Sequence, residues 1–136
     1  MSDPVVAHIQ AFLAADSFAV VGASTDRTKY GNKVLRCYQQ HGRTVYPINA
    51  RAAEVEGLKA YASLADLPVP VPAISVITPP VVTEQVVREA AAAGVTHIWM
   101  QPGAESNAAI RSAEALGMTV IAGGPCVLVV LGYREG

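Results

Sequence analysis

The stretch Phe18-Ala19-Val20-Val21-Gly22-Ala23-Ser24, followed shortly by Tyr30-Gly31-Asn32, decides the fold class of this chain. Four apolar residues lead into a glycine, a small polar loop follows, and a helical pattern begins near Gly31. This order is typical of a buried parallel strand, a glycine turn and the N-terminus of a helix. Backbone N–H groups and the positive end of the helix dipole favour an anion at such a turn, most often a phosphate. The stretch therefore predicts a loop that holds the phosphates of a nucleotide-containing ligand.

Further apolar segments alternate with helical patterns along the rest of the chain. The predicted strands are 17–22, 43–49, 73–78, 96–101 and 118–122, and the predicted helices are 4–15, 31–41, 82–93 and 105–116. Asp3 is expected to cap the first helix, and Pro47 is expected to end regular pairing in the second strand. Periodicity does not decide whether residues 127–131 form a short helix or a strand.

The strand segments are continuously apolar, which indicates a parallel sheet covered by helices on both faces. The chain is therefore predicted to form one Rossmann-like, doubly wound α/β domain over residues 1–136, with about five strands in the order 3-2-1-4-5. Such sheets bind ligands at the carboxyl ends of their strands. The candidate ligand residues at these ends are Gly22, Ala23, Ser24, Asn49, Arg51, Thr78, Pro79, Pro80, Gln101 and Gly103.

The composition and the residue spacing argue against nucleic-acid binding, membrane insertion, secretion and metal binding. The 136 residues carry 10 basic and 11 acidic side chains, so no basic excess indicates a nucleic-acid partner. No apolar run approaches the roughly 20 residues that span a bilayer, and the N-terminus does not resemble a signal peptide. The two cysteines and three histidines show no metal-ligand spacing. A reduced, cytoplasmic protein without a metal or a membrane partner is expected.

The loop and the second strand end narrow the choice of nucleotide. The dinucleotide fingerprint needs three spaced glycines, and this chain has Gly22, Ser24 and Arg27 at those positions. The acidic residue that would hold the ribose of NAD is replaced by Asn49 and, two residues later, Arg51. A cation there suits an additional phosphate on the ribose, as in NADP or coenzyme A. Arg27 and Lys29 in the long loop could also reach phosphates.

Six segments together resemble the small stand-alone CoA-binding proteins. They are Val20–Ser24, Tyr30–Asn32, Val45–Asn49, Gly57 with Tyr61–Leu64, Trp99–Gly103 and Gly124–Cys126. The chain is also similar to the CoA-binding domain of the succinyl-CoA synthetase α subunit and of NDP-forming acyl-CoA synthetases. The resemblance covers residues 12–131 and implies coenzyme A as the ligand.

The resemblance also implies a role for each candidate residue. Gly22, Ala23 and Ser24 would line the phosphate loop, with Lys29 close to it. Asn49 and Arg51 would lie near the adenosine and its 3′-phosphate. Thr78, Pro79 and Pro80 would form a wall beside the adenine or the pantetheine arm. Gln101 and Gly103 would border the path of that arm.

A non-catalytic CoA-binding module is the favoured interpretation, and two alternatives remain open. The larger enzymes carry a phosphorylated histidine in a further domain, and His8, His41 and His97 fall in no such loop. The alternatives are a small NADP-dependent reductase and a CoA-site subunit of a multi-chain acyl-CoA synthetase. Residues 127–131 could also form a homodimer interface. Cys126 is most simply a buried small residue, and its alternative role is a thiol that exchanges with CoA.

Overall fold

The computed structural model describes residues 4–135 and consists of helices alternating with strands. The helices are α1 (Pro4–Leu13), α2 (Tyr30–Gln40), α3 (Pro80–Ala92) and α4 (Asn107–Ala115). The strands are β1 (Phe18–Val21), β2 (Val45–Ile48), β3 (Glu54–Val55), β4 (Leu58–Lys59), β5 (Ala73–Val76), β6 (His97–Met100) and β7 (Thr119–Ile121). A 3₁₀ turn at Leu64–Asp66 and a π-helical turn at Leu128–Gly132 complete the elements, so the segment near residue 127 is helical. The expected cap Asp3 lies outside the described residues.

Five of these strands form one parallel sheet in the order β2-β1-β5-β6-β7. All four residues of β1 and of β5 are buried, because these strands lie inside the sheet and are covered on both faces. One face packs against α3 and α4 through residues such as Val86, Val87 and Ala109. The other face packs against α1 and α2 through residues such as Phe12 and Leu35. The predicted doubly wound α/β fold class is confirmed.

The predicted strand order is wrong. Counted within the sheet, the order is 2-1-3-4-5, because β5 pairs with β1 on the side away from β2. The outer edge of β2 is taken by the connection that follows it: the Tyr61 N–H donates to the Pro47 carbonyl at 3.0 Å, and the Asn49 N–H donates to the Tyr61 carbonyl at 2.9 Å. The crossover segment therefore covers the position that the prediction gave to the third strand.

Pro47 lies inside β2, which runs on to Ile48, so the expectation that pairing ends at this proline is also wrong. The N and C=O of one strand residue point to the same side of the strand. The Pro47 carbonyl accepts from Tyr61 on the outer edge, so the missing N–H also faces outward. The ladder between β2 and β1 therefore loses no hydrogen bond at the proline.

The corrected order moves the point where the connections diverge to the gap between β1 and β5. There, α2 leaves β1 on one face of the sheet and α3 leaves β5 on the other. Ligands of doubly wound sheets bind in the crevice at this point. The residues that follow β1 and β5 therefore adjoin each other at the carboxyl edge. Within residues 4–135, no helix is long and apolar enough to span a bilayer.

Candidate functional site

Two glycines allow three backbone segments to meet at the end of β1. Gly22 has a φ of +97°, and a Cβ on it would lie 2.1 Å from the Ile77 carbonyl oxygen. A Cβ on Gly31 would lie 2.0 Å from the Gly22 carbonyl oxygen. Real Cβ atoms essentially never approach so closely, so any side chain at either position would force the backbone apart. The glycines thus hold the start of α2 and the end of β5 against the turn after β1.

The loop after Gly22 has backbone donors that are not used within the protein. The N–H groups of Ala23, Ser24 and Thr25 make no hydrogen bond to another described residue. Farther along, Asp26 N–H donates to the Ser24 hydroxyl at 3.0 Å, and Thr28 N–H donates to the Asp26 carboxylate at 2.9 Å. Hydrogen bonds from the side chain and backbone of Thr28 lower the pKa of Asp26. The loop is thus fixed by its own side chains, with donors available close to the start of α2.

Asn49 positions this loop from the neighbouring strand. Its Nδ2 donates to the Ala23 carbonyl at 2.9 Å, and its Oδ1 accepts from the N–H groups of Arg51 and Ala52 at 2.8 and 2.9 Å. The side chain predicted to contact the ligand is thus bonded to the protein on both its oxygen and its nitrogen. It ties the ends of β1 and β2 together while still lining the cavity described below.

A second brace comes from Asn32, Arg36 and Glu56, to which the sequence analysis gave no role, and from Arg27, which it expected to reach phosphates. Asn32 Nδ2 donates to the Ser24 carbonyl at 2.8 Å and to Glu56 Oε2 at 3.0 Å. Asn32 Oδ1 accepts from Arg36 Nε at 2.6 Å, and Arg36 Nη2 donates to the Arg27 carbonyl at 2.8 Å. Arg27 closes the network through an ion pair with Glu56. The signal for this brace was available in the sequence: polar Asn32 and Arg36, four residues apart, lie among the apolar residues of α2.

Two adjoining cavities follow the carboxyl edge of the sheet. The first has a volume of about 460 Å³ and the second about 280 Å³, and Ile77 lines both. The first is lined by Gly22, Ala23, Ser24, Lys29, Tyr30, Gly31, Asn49 and Ile77. The second is lined by Ile77, Thr78, Pro79, Pro102, Gly103 and Ala104. The two cavities meet at Ile77 and together are the candidate crevice, which eight of the predicted site residues line.

Three predicted residues do not line these cavities. Arg51 is exposed beyond Asn49, and its guanidinium has no partner among the described residues. Pro80 is exposed in the first turn of α3. Gln101 is fully buried behind the crevice. Thr78 lines the second cavity, but its hydroxyl is already hydrogen-bonded to that of buried Thr83 at 2.7 Å.

Gln101 joins a polar cluster that the sequence did not reveal. Its Oε1 accepts from the Tyr30 hydroxyl at 3.1 Å and from the Val127 N–H at 3.0 Å. Its Nε2 is buried and has no hydrogen-bond partner among the residues described. The Tyr30 hydroxyl also contacts Cys126 Sγ. Burial first, and then the hydrogen bond with Cys126, raises the pKa of Tyr30 well above its usual range, so Tyr30 stays a neutral phenol.

A larger groove of about 470 Å³ lies elsewhere, between residues 64–70 and the C-terminal end of α3. Both segments immediately precede strands, so this groove belongs to the opposite edge of the sheet. None of the predicted site residues lines it. The crevice at the carboxyl edge is therefore the candidate site.

Comparisons with known proteins identify the family of this chain. A family model described as a CoA binding domain matches residues 16–132. A conserved hypothetical protein of known structure from Pyrococcus furiosus is 41% identical, with a TM-score of 0.79 over 84% of this chain and 97% of that one.

Longer enzymes match as well. Subunit alpha of an ADP-forming acetate–CoA ligase II from Pyrococcus furiosus is 35% identical over 85 residues, which are 62% of this chain and 19% of that subunit. The dinucleotide-forming acetyl-coenzyme A synthetase 1 of Ca. Korarchaeum cryptofilum, solved with phosphate and ADP, is 32% identical with a TM-score of 0.72. The match covers 79% of this chain and 25% of that synthetase. This chain therefore spans a quarter or less of the enzymes it resembles.

Proposed function

We propose that this chain, which belongs to the CoA binding domain family, binds coenzyme A or an acyl-CoA without catalysing a reaction of its own. The observation that carries the proposal is the cavity of about 460 Å³ at the glycine turn, lined by Gly22, Ser24 and Lys29. Backbone donors at the start of a helix favour phosphate, and a lysine adds a positive charge beside them. A cytoplasmic location, consistent with the free thiols of Cys37 and Cys126, is part of the proposal.

In this proposal the ligand lies along the carboxyl edge of the sheet. The pyrophosphate occupies the loop of Gly22, Ala23 and Ser24, with Lys29 as its counter-charge. The adenosine lies toward Asn49, and its 3′-phosphate accepts hydrogen bonds from the guanidinium of Arg51. The pantetheine arm then passes into the second cavity, which Thr78, Pro79 and Gly103 line.

Arg51 is the residue through which the proposal is tested most directly. Its guanidinium is exposed and has no protein partner in the described part of the chain, so its loss should not disturb the fold. We expect Arg51→Ala to weaken CoA binding about tenfold, or about 1.4 kcal/mol, because one charged contact to phosphate is lost. Isothermal titration of wild type and variant with CoA and with dephospho-CoA measures this effect. Dephospho-CoA lacks the 3′-phosphate, so the variant and wild type should bind it equally.

Arg111→Ala is the matched control, since Arg111 is an exposed arginine on α4 away from the crevice. It should leave both affinities unchanged. An equal effect of Arg51→Ala on CoA and dephospho-CoA would contradict the assigned 3′-phosphate contact. Titrations with NADP and NAD run in parallel, and binding of NADP without CoA would favour a reductase over a CoA-binding module.

A second candidate is that the chain supplies the CoA site to a separate enzyme subunit. The matches to a synthetase and to a ligase subunit, each several times longer than this chain, favour this candidate. Co-purification of the tagged chain from its own cells tests it. A stoichiometric partner with the remaining synthetase domains would support a shared enzyme, and recovery of the chain alone would favour the independent module.

A further inference from the structure

A thiol lies beside the candidate crevice. The segment 122–127 runs from the end of β7 back across the sheet edge toward α2 and is held by two hydrogen bonds. Trp99 Nε1 donates to the Pro125 carbonyl at 3.0 Å, and the Val127 N–H donates to Gln101 Oε1 at 3.0 Å. This path places Cys126 Sγ against the hydroxyl of Tyr30, a residue that lines the 460 Å³ cavity. The thiol is therefore separated from the cavity by one side chain.

A second observation points to a ligand at the same place. Gln101 is fully buried, and its Nε2 has no acceptor among the described residues, although its Oε1 is bonded to Tyr30 and Val127. A buried donor without an acceptor is costly, by about 1–3 kcal/mol. An amide carbonyl is a suitable acceptor for it, and the pantetheine arm carries amide carbonyls near its thiol end. Pro102 and Gly103, which line the second cavity, directly follow Gln101, so an arm that enters this cavity and turns toward Gln101 would bring its thiol end to Cys126.

The two cysteines differ in how accessible their thiols are for disulfide exchange. Cys37 is buried and faces the Val127 carbonyl at 3.9 Å, and burial raises the pKa of its thiol to about 11. Cys126 is only half-buried. Exchange requires a thiolate with access to the incoming disulfide, so Cys126 is the candidate and Cys37 the internal control.

We propose that Cys126 is a thiol–disulfide exchange site for disulfides of coenzyme A, which rests on the proposed function because the ADP part of the reagent must occupy the crevice. The Cys126 thiolate attacks one sulfur of CoA disulfide, and a bond forms between Sγ and that sulfur. The original S–S bond breaks, and the other CoA leaves as a thiolate that takes a proton from water. The product is a mixed disulfide of Cys126 with CoA, and no further oxidant is needed.

Tyr30 can assist this exchange through the single proton of its hydroxyl. The hydroxyl donates to Gln101 Oε1 at 3.1 Å, and in its contact with Cys126 Sγ either atom can be the donor. When the sulfur becomes a thiolate, donation to it stabilises the negative charge, while Gln101 Oε1 keeps its bond from the Val127 N–H. The neutral form of Tyr30 at ordinary pH makes this donation available.

The experiment incubates the reduced, full-length chain with CoA disulfide and follows the intact mass without reductant. We expect a single mass increase equal to CoA less two hydrogens, one lost from each thiol, that forms on Cys126 and disappears on addition of dithiothreitol. Cys126→Ser should give no adduct, and Cys37→Ala should give the same adduct as wild type. Oxidised glutathione lacks the ADP part, so its adduct should form at least about tenfold more slowly, because binding no longer positions the reacting sulfurs.

Two results would overturn the inference: no adduct on the wild-type chain, or equal rates with CoA disulfide and oxidised glutathione. Titration of the reduced chain with CoA in excess dithiothreitol separates this failure from failure of the proposed function. A chain that binds CoA but forms no adduct contradicts the exchange site alone. A chain that fails to bind CoA contradicts both proposals.

Discussion

At the scale of the residue, position 22 requires glycine for two separate reasons. Its φ of +97° lies in the left-handed region that disfavours other residues, and its missing Cβ leaves room for the Ile77 carbonyl. The first requirement is common to several turns of this chain, whereas the second exists because β5 adjoins β1. Replacing Gly22 therefore has two costs in stability, one from the local backbone conformation and one from the tertiary contact with Ile77.

We expect Gly22→Ala to lower the free energy of unfolding by about 2–5 kcal/mol. About 1–2 kcal/mol comes from the left-handed backbone and about 1–3 kcal/mol from the forced contact with the Ile77 carbonyl. Gly117→Ala is the matched control, because Gly117 has a φ of +88° and its Cβ would meet nothing within 4 Å. Urea denaturation should show a clearly smaller loss for the control. Equal losses would mean that the contact at Gly22 relaxes freely.

The sequence predicted which residues lie at the strand ends, but not what each of their atoms does. Gly22, Ser24 and Lys29 line the crevice, and their contact with a ligand stays a prediction. Asn49 also lines it, yet its amide is bonded to the Ala23 carbonyl and to two N–H groups after β2. Whether a side chain binds the ligand or another part of the protein depends on distances between elements. The sequence does not contain those distances.

At the scale of the element, the start of α2 and the β3–β4 hairpin together hold the phosphate loop. Glu56 lies at the tip of the hairpin and accepts from Asn32, which in turn donates to the Ser24 carbonyl. The hydrogen bond from Asn32, and then the interactions with Arg27, lower the pKa of Glu56 below its ordinary 4.5. The hairpin thus contributes to the site although none of its residues lines the crevice.

This lowered pKa predicts a pH dependence of stability. Because the folded protein favours the charged carboxylate, Glu56 stabilises the fold above about pH 4.5, and this contribution is lost as the pH falls through its lower folded pKa. Glu56→Gln should therefore lower the free energy of unfolding at pH 7 by about 1 kcal/mol or less, since the Arg27 partner is largely exposed. The difference between variant and wild type should shrink toward pH 3, as measured by urea denaturation at each pH. A difference that is constant with pH would mean that the charge of Glu56 does not contribute.

At the scale of the whole molecule, the order of strands decides which segments are protected from hydrogen exchange. β1, β5 and β6 lie inside the sheet, and β7 lies at its edge. Backbone amides in interior strands open only with larger unfolding events, whereas edge strands exchange more readily. We expect the amides of Ile74 and Val76 in β5 to exchange with deuterium as slowly as those of β1, and clearly more slowly than those of β7.

Hydrogen exchange followed by NMR makes this comparison residue by residue. The order 3-2-1-4-5 would instead place the third strand at an edge, with exchange as rapid as in β7. Slow exchange in β5 therefore supports the order 2-1-3-4-5, and rapid exchange there would contradict it. The residues of β6 act as an internal reference, because both orders leave that strand inside the sheet.

The sequence by itself determined the four helices and the five strands of the main sheet, the α/β class and the carboxyl-edge location of the crevice. It also determined the family, which the match over residues 16–132 confirms. These follow from local patterns: apolar runs, glycines at turns and short motifs in a fixed order. Only the tertiary structure decided that β5 pairs with β1, that Asn32 and Glu56 brace the loop, and that Cys126 contacts Tyr30. Each of these joins segments far apart in the chain, and such pairings depend on which edges and faces the rest of the fold leaves available.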